Sequence, residues 1–550
     1  MVLQMIRPIP MSESLPRALE GLLQPSAYSH PIDAVEVVTT HISWVLLAGD
    51  YAYKIKRPVR YPFIDLTTLE RRRFLCEEEL RLNRRFAPEL YIEVCKVVAA
   101  DGVVQMEGGD AARAPAPAAD SKVILDYAVR MHRFSHAEEL DRLLDTRRID
   151  VQELERFGRE LAQVHVRLPT APAASPWGRP EEVRAHLLRN LRECADAAVV
   201  FGSSPAILAM HDTMQARLEL SASPMAARRA SGRIRECHGD LHSRNVVRIR
   251  GRLVPFDCLE YDPALRWIDT ADEIAFLTSD MKARGRPLRA QAFRTGYLAE
   301  SGDYDACRVL GLYEAHRALV RAKIAALSAK QNAERGATDT LHREHVRLVT
   351  FAAEALAPKA PRLLLMSGLS GSGKTWLARQ LAERLSAVHI RSDVERKRRA
   401  GLRELASSHS RLGEGLYSRE ATAAVYEDLL RAADGVLSGG IPAVVDAAFL
   451  ERAQRARFAE LAARHGTPLH LVRCEAPERV LRARITERTR EGNDPSEAGV
   501  DVLSWQSAHA EPLDPAEGMD VIPVDTAGPD ALDQALRRIG AIPSRSSDQV

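Results

Sequence analysis

The octapeptide GLSGSGKT, Gly368 to Thr375, constrains this chain more than any other feature of it. It completes the pattern G-x-x-x-x-G-K-[ST], follows the apolar run RLLLMSG (362–368) and opens the stretch KTWLARQLAERL. A strand, a glycine-rich turn and a helix are the context in which that pattern acts on phosphate. The glycines let backbone N–H groups turn inward around phosphate oxygens, and the helix N-terminus adds a partial positive charge. Gly368, Ser370, Gly371, Ser372 and Gly373 line such a turn, Lys374 reaches the β- and γ-phosphates, and the Thr375 hydroxyl ligates Mg2+. Four more short apolar runs follow: AVHIRS (387–392), IPAVVDAA (441–448), PLHLVRCE (468–475) and DVIPVD (520–525), with helical stretches between them. Runs of this kind are buried on both faces of a parallel sheet. The alternation predicts a doubly wound α/β P-loop domain with a five-stranded parallel sheet over residues 362–545.

The same domain offers groups suited to act on a bound phosphate. Asp393, in IRSDVERKR, follows the second strand, on the side where α/β sheets meet their ligands. It is placed either to accept a proton from a substrate hydroxyl or to cap the next helix. Arg396, one helical turn on, is suited to hold the substrate. Asp446 ends the third strand and is placed either to hold Mg2+, directly or through water, or to serve as a turn or cap residue. Arg482, Arg484, Arg488 and Arg490 crowd the segment PERVLRARITERTREGNDPSEA (477–498). Arginines beside a transferring phosphoryl group neutralise its charge, so the cluster reads as a lid, with Arg484 and Arg488 as its catalytic members. Residues 362–540 resemble the P-loop kinases that include polynucleotide 5′-hydroxyl kinases, small-molecule kinases and zeta-toxin-like ATP-binding domains. The resemblance is carried by GLSGSGKT, SDVER, VVDAAF and RARITERTREGNDPSEA. It implies ATP as donor and Asp393 as base, and it leaves the acceptor open between a small molecule and a nucleic-acid 5′-hydroxyl.

A second constellation lies far upstream, in HGDLHSRNVVRIRGRLVPFDCLEYD (238–262). Asp240 and Asn245 have the five-residue spacing of a kinase catalytic loop, H-R-D-x-x-x-x-N, and Asp257 follows a short apolar strand as a metal-binding Asp does. In that scheme the first Asp orients the acceptor hydroxyl, while the Asn and the later Asp hold Mg2+. Gly239, where protein kinases carry Arg, points to a particular branch: residues 31–350 resemble the aminoglycoside-phosphotransferase-like kinases, which act on sugars, choline and antibiotics. The carriers are HGDLHSRN and FDCLEYDPALRWIDTADEIAFL. The resemblance implies a protein-kinase-like, bilobal α+β domain and a supporting Asp downstream, Asp272 or Asp269. It also implies a phosphate-binding lysine paired with a helix glutamate in the N-terminal lobe.

YAYKIKRP (51–58) offers Lys54 and Lys56 on one face of a strand, and CEEELRLN offers Glu79 and Glu78 as partners; Lys54 with Glu79 fits best. The strand is preceded by HISWVLLAG and a Gly-Asp turn, which reads as a hairpin. No G-x-G-x-x-G precedes it; TTHIS (39–43) occupies that place, with Ser43 or backbone positioned to touch phosphate. A further strand pair is expected to flank the loop at 107–121. Arg317, Arg321 and His316 recur at helical spacing in LYEAHRALVRAKIAAL (312–327), and read as a solvated face or as part of an acceptor pocket.

The expected organisation is a kinase-like domain over 1–355 (N-lobe about 31–130, C-lobe about 131–355), a linker at 356–361, and the P-loop domain. A formal net charge of +2, from 77 basic and 75 acidic residues, gives no general drive toward nucleic acid or membrane. Seven cysteines with no C-x-x-C pair fit neither a disulfide framework nor a zinc site, and suit a reducing cytoplasm. The expected function is an ATP- and Mg2+-dependent phosphotransferase with two kinase-type centres, the first acting on a small-molecule hydroxyl. The alternative keeps the first domain as a kinase-shaped binding or regulatory module and leaves catalysis, as a kinase or an ATPase switch, to the P-loop domain.

Overall fold

The computed structural model describes residues 15–61, 64–108, 122–331, 338–404, 406, 408, 414–491 and 494–540. Most of the expected loop at 107–121, and two residues of the expected lid, lie outside the described residues. The chain forms two compact units. The first comprises Met1–Glu153, Val164–Gly285 and Tyr313–Ala355; the second comprises Leu154–Gln163, Arg286–Leu312 and Leu356–Val550. The chain thus passes into the second unit for the last time at 356, where the linker was expected, after contributing two earlier segments to it.

The first unit opens on a six-stranded antiparallel sheet. Its strands are β1 (Val35–Thr39), β2 (Ser43–Ala48), β3 (Tyr51–Lys56), β4 (Tyr91–Ala100), β5 (Val103–Glu107) and β6 (Val123–His132), in the order β1-β2-β3-β6-β4-β5. Strands β2 and β3 form the expected hairpin: Ala48 pairs with Tyr51 across Gly49-Asp50, and Gly49 adopts a φ of 57° that favours glycine. β5 and β6 do flank the loop at 107–121, but they do not pair with each other; β4 lies between them and pairs with both.

Strand alternation sorts the side chains of β3. Tyr53 and Ile55 join Trp44, Leu46 and Val97 in one apolar layer. Ala52 joins Cys76, Tyr91 and Val129 in the other layer, and Lys54 and Lys56 share its parity. That second layer is covered by α1 (Leu69–Asn83), whose N-cap Thr68 accepts a hydrogen bond from the Arg71 N–H. The rest of the unit includes the hairpin β7 (Val246–Ile249) and β8 (Arg252–Pro255), helix α2 (Thr270–Ala283), and most of α3 (Cys307–Gln331).

The second unit holds five parallel strands, β9 (Leu363–Ser367), β10 (Val388–Arg391), β11 (Ala443–Asp446), β12 (Leu469–Glu475) and β13 (Asp520–Asp525), in the order β10-β11-β9-β12-β13. All five correspond to the apolar runs read from the sequence. Leu364, Met366, Val444, Val472 and Ile522 of the strands pack with Leu377 and Leu381 of α4 (Lys374–Leu385), the helix that follows the glycine-rich turn. The upstream segments are built into this unit. Gln291 donates to the Ala387 carbonyl at 3.0 Å, and the Tyr304 hydroxyl donates to Glu395 at 2.8 Å. The helices Pro287–Ser301 and Val151–Arg167 touch backbone to backbone: a Cβ at Gly296 would overlap the Glu155 carbonyl, and one at Gly158 would stand 2.7 Å from the Tyr297 nitrogen. Gly296→Ala is therefore expected to force the helices apart and destabilise the protein by roughly 1–3 kcal/mol, the usual cost of overpacking. Denaturant unfolding of the purified variant checks this.

Candidate active sites

In the first unit, Lys54 and Lys56 point from β3 toward α1, and one carboxylate receives both. Lys54 Nζ donates to Glu79 Oε1 at 2.8 Å, and Lys56 Nζ donates to Glu79 Oε2 at 2.5 Å. Lys54 also donates to Asp257 Oδ1 at 2.7 Å, and Lys56 is bonded to Glu260. Glu79 and Lys56 are fully buried and Lys54 nearly so. The alternative partner, Glu78, turns away to Arg81 and Arg266. Two cations thus face three carboxylates in one buried cluster. Burial works against the Lys54 charge, yet Asp257 and Glu79 hold its pKa well above the usual lysine range. Burial also pushes Asp257 up, with Lys54 offsetting this only in part.

The loop carrying Asp257 is fixed from the N-terminal lobe. Asp257 has a φ of 67°, an uncommon conformation for a non-glycine residue. Its N–H donates to the Tyr91 hydroxyl at 3.1 Å, and the next N–H, of Cys258, donates to Asn83 Oδ1 at 2.9 Å. Asn83 lies one turn beyond Glu79 on α1, so a single helix positions both the lysine partner and the metal-type loop.

Asp240 and Asn245 come together as their spacing implied. Asn245 Nδ2 donates to the Asp240 carbonyl at 3.0 Å and to Asp240 Oδ2 at 3.1 Å. The other oxygen of Asp240, Oδ1, is buried without a hydrogen-bond partner among the described residues, as is Nε2 of His242, whose ring lies 3.6 Å from Asp240 Oδ2. Burial holds His242 and His238 below the ordinary histidine range, His238 at about 4. The catalytic-type loop is held from beneath by Glu273, which accepts the His238 N–H at 2.7 Å and the Gly239 N–H at 3.1 Å. Arg317 pairs with both oxygens of Asp272 at 2.7 Å and donates to the Gly239 carbonyl at 3.3 Å. Asp269 instead pairs with Arg228 and caps α2. The expectation of a solvated or acceptor-facing helix at 312–327 is corrected here: Arg317, Arg321 and His316 are all buried, and Arg321 is spent on Asp280 and Glu344.

A cleft of about 1410 Å3 opens over this centre. Lys54, Asn245 and Asp257 lie on its wall, and Val38, Val45, Ala52, Met131 and Phe256 give it an apolar part. From TTHIS it is Thr40 that lines the cleft, whereas Ser43 is fully buried as the cross-strand partner of Lys56. Strand alternation explains the difference, because Ser43 and Lys56 share the face that α1 covers.

In the second unit the glycine-rich turn has Gly368, Gly371 and Gly373 at φ values of 145°, 79° and 77°. Lys374 Nζ rests on the Leu369 carbonyl at 3.4 Å, and Ser372 Oγ is buried with no partner among the described residues. Thr375 lies in the first turn of α4. Of the four lid arginines, two reach the turn. Arg484, on α6 (Glu478–Glu491), donates toward the Gly371 carbonyl at 3.4 Å and to Thr526; Arg488 donates to Ser370 Oγ at 3.3 Å. Arg482 and Arg490 point outward to Glu478 and Glu487.

Asp446 sits at the C-terminal end of β11 with Oδ2 3.3 Å from His389 Nε2 and Oδ1 buried and unpartnered among the described residues. Burial raises its pKa, but His389, Arg391 and Lys374 bring it down to about 2. Asp393 lies in the first turn of α5 (Ser392–Arg399), whose N-cap is Arg391, so Asp393 is not the cap. Arg396 does not pair with Asp393. It donates to the Leu416 carbonyl at 2.7 Å and lies over the Tyr417 ring, and burial together with Asp393 raises that tyrosine's pKa to about 12.

Comparison with known proteins names the two halves. Residues 68–310 match the Phosphotransferase enzyme family, and residues 363–513 match an AAA domain. The chain is a phosphotransferase with two kinase-type domains. Uncharacterized proteins of Mycobacterium tuberculosis (strain ATCC 25618 / H37Rv) and Mycobacterium bovis (strain ATCC BAA-935 / AF2122/97) are each 29% identical to it over 505 residues. Those alignments cover 91% of this chain and 95% of each relative, so the pairing of both halves extends to them. Among solved structures, a choline kinase from Cryptosporidium parvum Iowa II aligns at 12% identity and a TM-score of 0.36, covering 60% of this chain and 90% of that one. A sugar kinase from Janibacter sp. HTCC2649 aligns at 19% identity and a TM-score of 0.25, covering 33% of this chain and 96% of that one. Among the described residues no helix is long and apolar enough to cross a membrane, and the seven cysteines are buried and form no disulfide.

Motif reading offered Lys56 only as an alternative to Lys54, where the structure uses both, and it missed Glu260, Glu273, Tyr91 and His389. Only Asn83, one turn past Glu79, carried a periodic signal that would have found it. Lys56→Met would leave Glu79 and Glu260 facing each other with one cation fewer. Breaking a buried pair in this way costs roughly 3–5 kcal/mol. Denaturant unfolding is expected to show that loss, and Lys56→Met/Glu260→Gln is expected to recover part of it.

Proposed function

We propose that each unit is an ATP- and Mg2+-dependent kinase that transfers the γ-phosphoryl group to a hydroxyl. The observation that carries the reading is the junction of Lys54 with both Glu79 and Asp257, on the wall of a cleft that also holds Asn245. A lysine held by two carboxylates cannot wander, so its charge is preorganised for a phosphate. Asn245 and Asp257 supply oxygen donors of the kind Mg2+ prefers. Mg2+ bound there would offset charge on the phosphates. Asp240, steadied by Asn245 and with Oδ1 unpartnered among the described residues, orients an acceptor hydroxyl and takes its proton.

In the second unit Lys374, Arg484 and Arg488 surround the turn with positive charge, and Thr375 and Asp446 supply oxygens for a metal. Asp393 is the base for that acceptor, with Arg396 beside it on the same helix. The first acceptor is a small molecule; the second is a small molecule or a nucleic-acid 5′-hydroxyl. The reaction calls for no membrane partner, and the protein acts in the cytoplasm.

The test uses the full chain, labelled ATP and a panel of hydroxyl acceptors. Asp240→Asn is expected to lower transfer to one group of acceptors by about 10²–10⁴, the range of a lost general base. Lys374→Ala is expected to lower transfer to a different group by about 10²–10³, as for a lost electrostatic donor. If only Lys374→Ala has an effect, the first unit is a binding module; if neither has, the reading is wrong.

A further inference from the structure

Gln506 lies outside every motif read from the sequence, yet its side chain reaches the glycine-rich turn. The Ser370 N–H donates to Gln506 Oε1 at 2.7 Å. Gln506 belongs to α7 (Val500–His509), which lies next to α6 in the chain, and the two helices grip the turn at further points. Arg488 of α6 bonds Ser370 Oγ and the Ala498 carbonyl. Leu369 packs among Leu481, Ile485, Leu503 and Val500, so the second residue of the turn is an apolar anchor in the helix pair. A Cβ at Gly371 would stand 2.5 Å from the Leu481 carbonyl, which admits glycine alone.

These ties differ in kind. The Leu369 anchor and the Gly371 approach engage atoms that a phosphate does not need. The Ser370 N–H is a backbone donor of the turn, and backbone N–H groups are what such a turn offers to phosphate. An N–H given to a glutamine oxygen is withheld from a phosphate oxygen. The helix that holds the glutamine is lightly attached: Leu503 is the one buried residue of α7, and Trp505, next to Gln506, is 42% exposed. An element with so few buried contacts opens at low cost.

We propose that Gln506 is a phosphate-sensing residue: its Oε1 and a nucleotide phosphate oxygen compete for the Ser370 N–H, so filling the turn releases α7 from it. The inference rests on the reading of this turn as a nucleotide site. Competition of this kind is reciprocal, so whatever the glutamine bond contributes to holding α7 is subtracted from nucleotide affinity. Removing the side chain should therefore tighten nucleotide binding, where removal of an ordinary binding residue would weaken it. Gln506→Glu keeps the acceptor and adds a negative charge beside the phosphates, so it should act in the opposite direction.

Hydrogen–deuterium exchange on the full chain, titrated with a non-hydrolysable ATP analogue and Mg2+, reads both partners of the contact. In the unsubstituted protein, peptides over 368–375 are expected to become protected while those over 500–509 exchange faster. In Gln506→Ala, 500–509 is expected to exchange fast without nucleotide. The midpoint of protection at 368–375 is expected to fall roughly two- to tenfold, the worth of one neutral hydrogen bond. In Gln506→Glu the midpoint is expected to rise. Protection of 368–375 without faster exchange at 500–509, or a midpoint unchanged or raised in Gln506→Ala, overturns the proposal alone. Absence of protection at 368–375 at any analogue concentration overturns the nucleotide reading of the turn and the proposal with it.

Discussion

One buried carboxylate, Glu79, takes Lys54 on one oxygen and Lys56 on the other, and the architecture of the first unit converges on that point. A fully buried charge is tolerable only if it is paired and hydrogen-bonded. The requirement fixes several elements at once. β3 must present both lysines on the face that α1 covers, α1 must be in register to receive them, and the loop from Asp257 to Glu260 must return to take what Glu79 leaves. Asn83 and Tyr91 then hold the backbone of that loop, so the Asp257 carboxylate stands where the lysine needs it. The arrangement is costly to desolvate, and its specificity follows from the cost, because a shift of any one element would strand a charge.

The second unit meets the same problem, holding positive groups around a small volume, with backbone instead of side-chain pairs. Three glycines at positive φ turn the chain between β9 and α4, and the helices of the lid lean directly on that turn. Arg484 and Arg488 approach it through hydrogen bonds to its carbonyl and hydroxyl oxygens. Asp446 is kept ionised at the end of β11 by His389 and Arg391, which come from the neighbouring strand β10. A parallel sheet makes this possible, since its strand ends all deliver side chains to one edge.

Much of this was legible in the residues. The approach of Asn245 to Asp240, and the place of Asp257 after a hairpin, were legible from spacing because a loop and its following hairpin are local in sequence. The glycine-rich turn was found because each of its residues answers a backbone requirement. The lid was legible as a cluster and not residue by residue: which arginines face the turn depends on the phase of α6, and its two outward members pair with glutamates a turn away. Arg317 and Arg321 were misjudged for a related reason. Charged residues at helical spacing ordinarily mark a solvated face, and here the helix runs through the interior with its carboxylate partners supplied by Asp272, Asp280 and Glu344.

By itself the sequence determined the two classes of fold, the places of the two candidate sites, and the residue types in each. These follow from short-range rules: strand and helix periods, glycine at strained turns, and motif spacing. The tertiary structure alone decided that Lys56 shares Glu79 with Lys54, that Glu273 carries the catalytic-type loop, and that residues 154–163 and 286–312 build into the P-loop unit. It also decided that Gln506 reaches the Ser370 amide. Each of these joins residues distant in the chain, through hydrogen bonds and ion pairs whose strength comes from exclusion of water. Burial is a property of the packed chain, and no local window of sequence contains it.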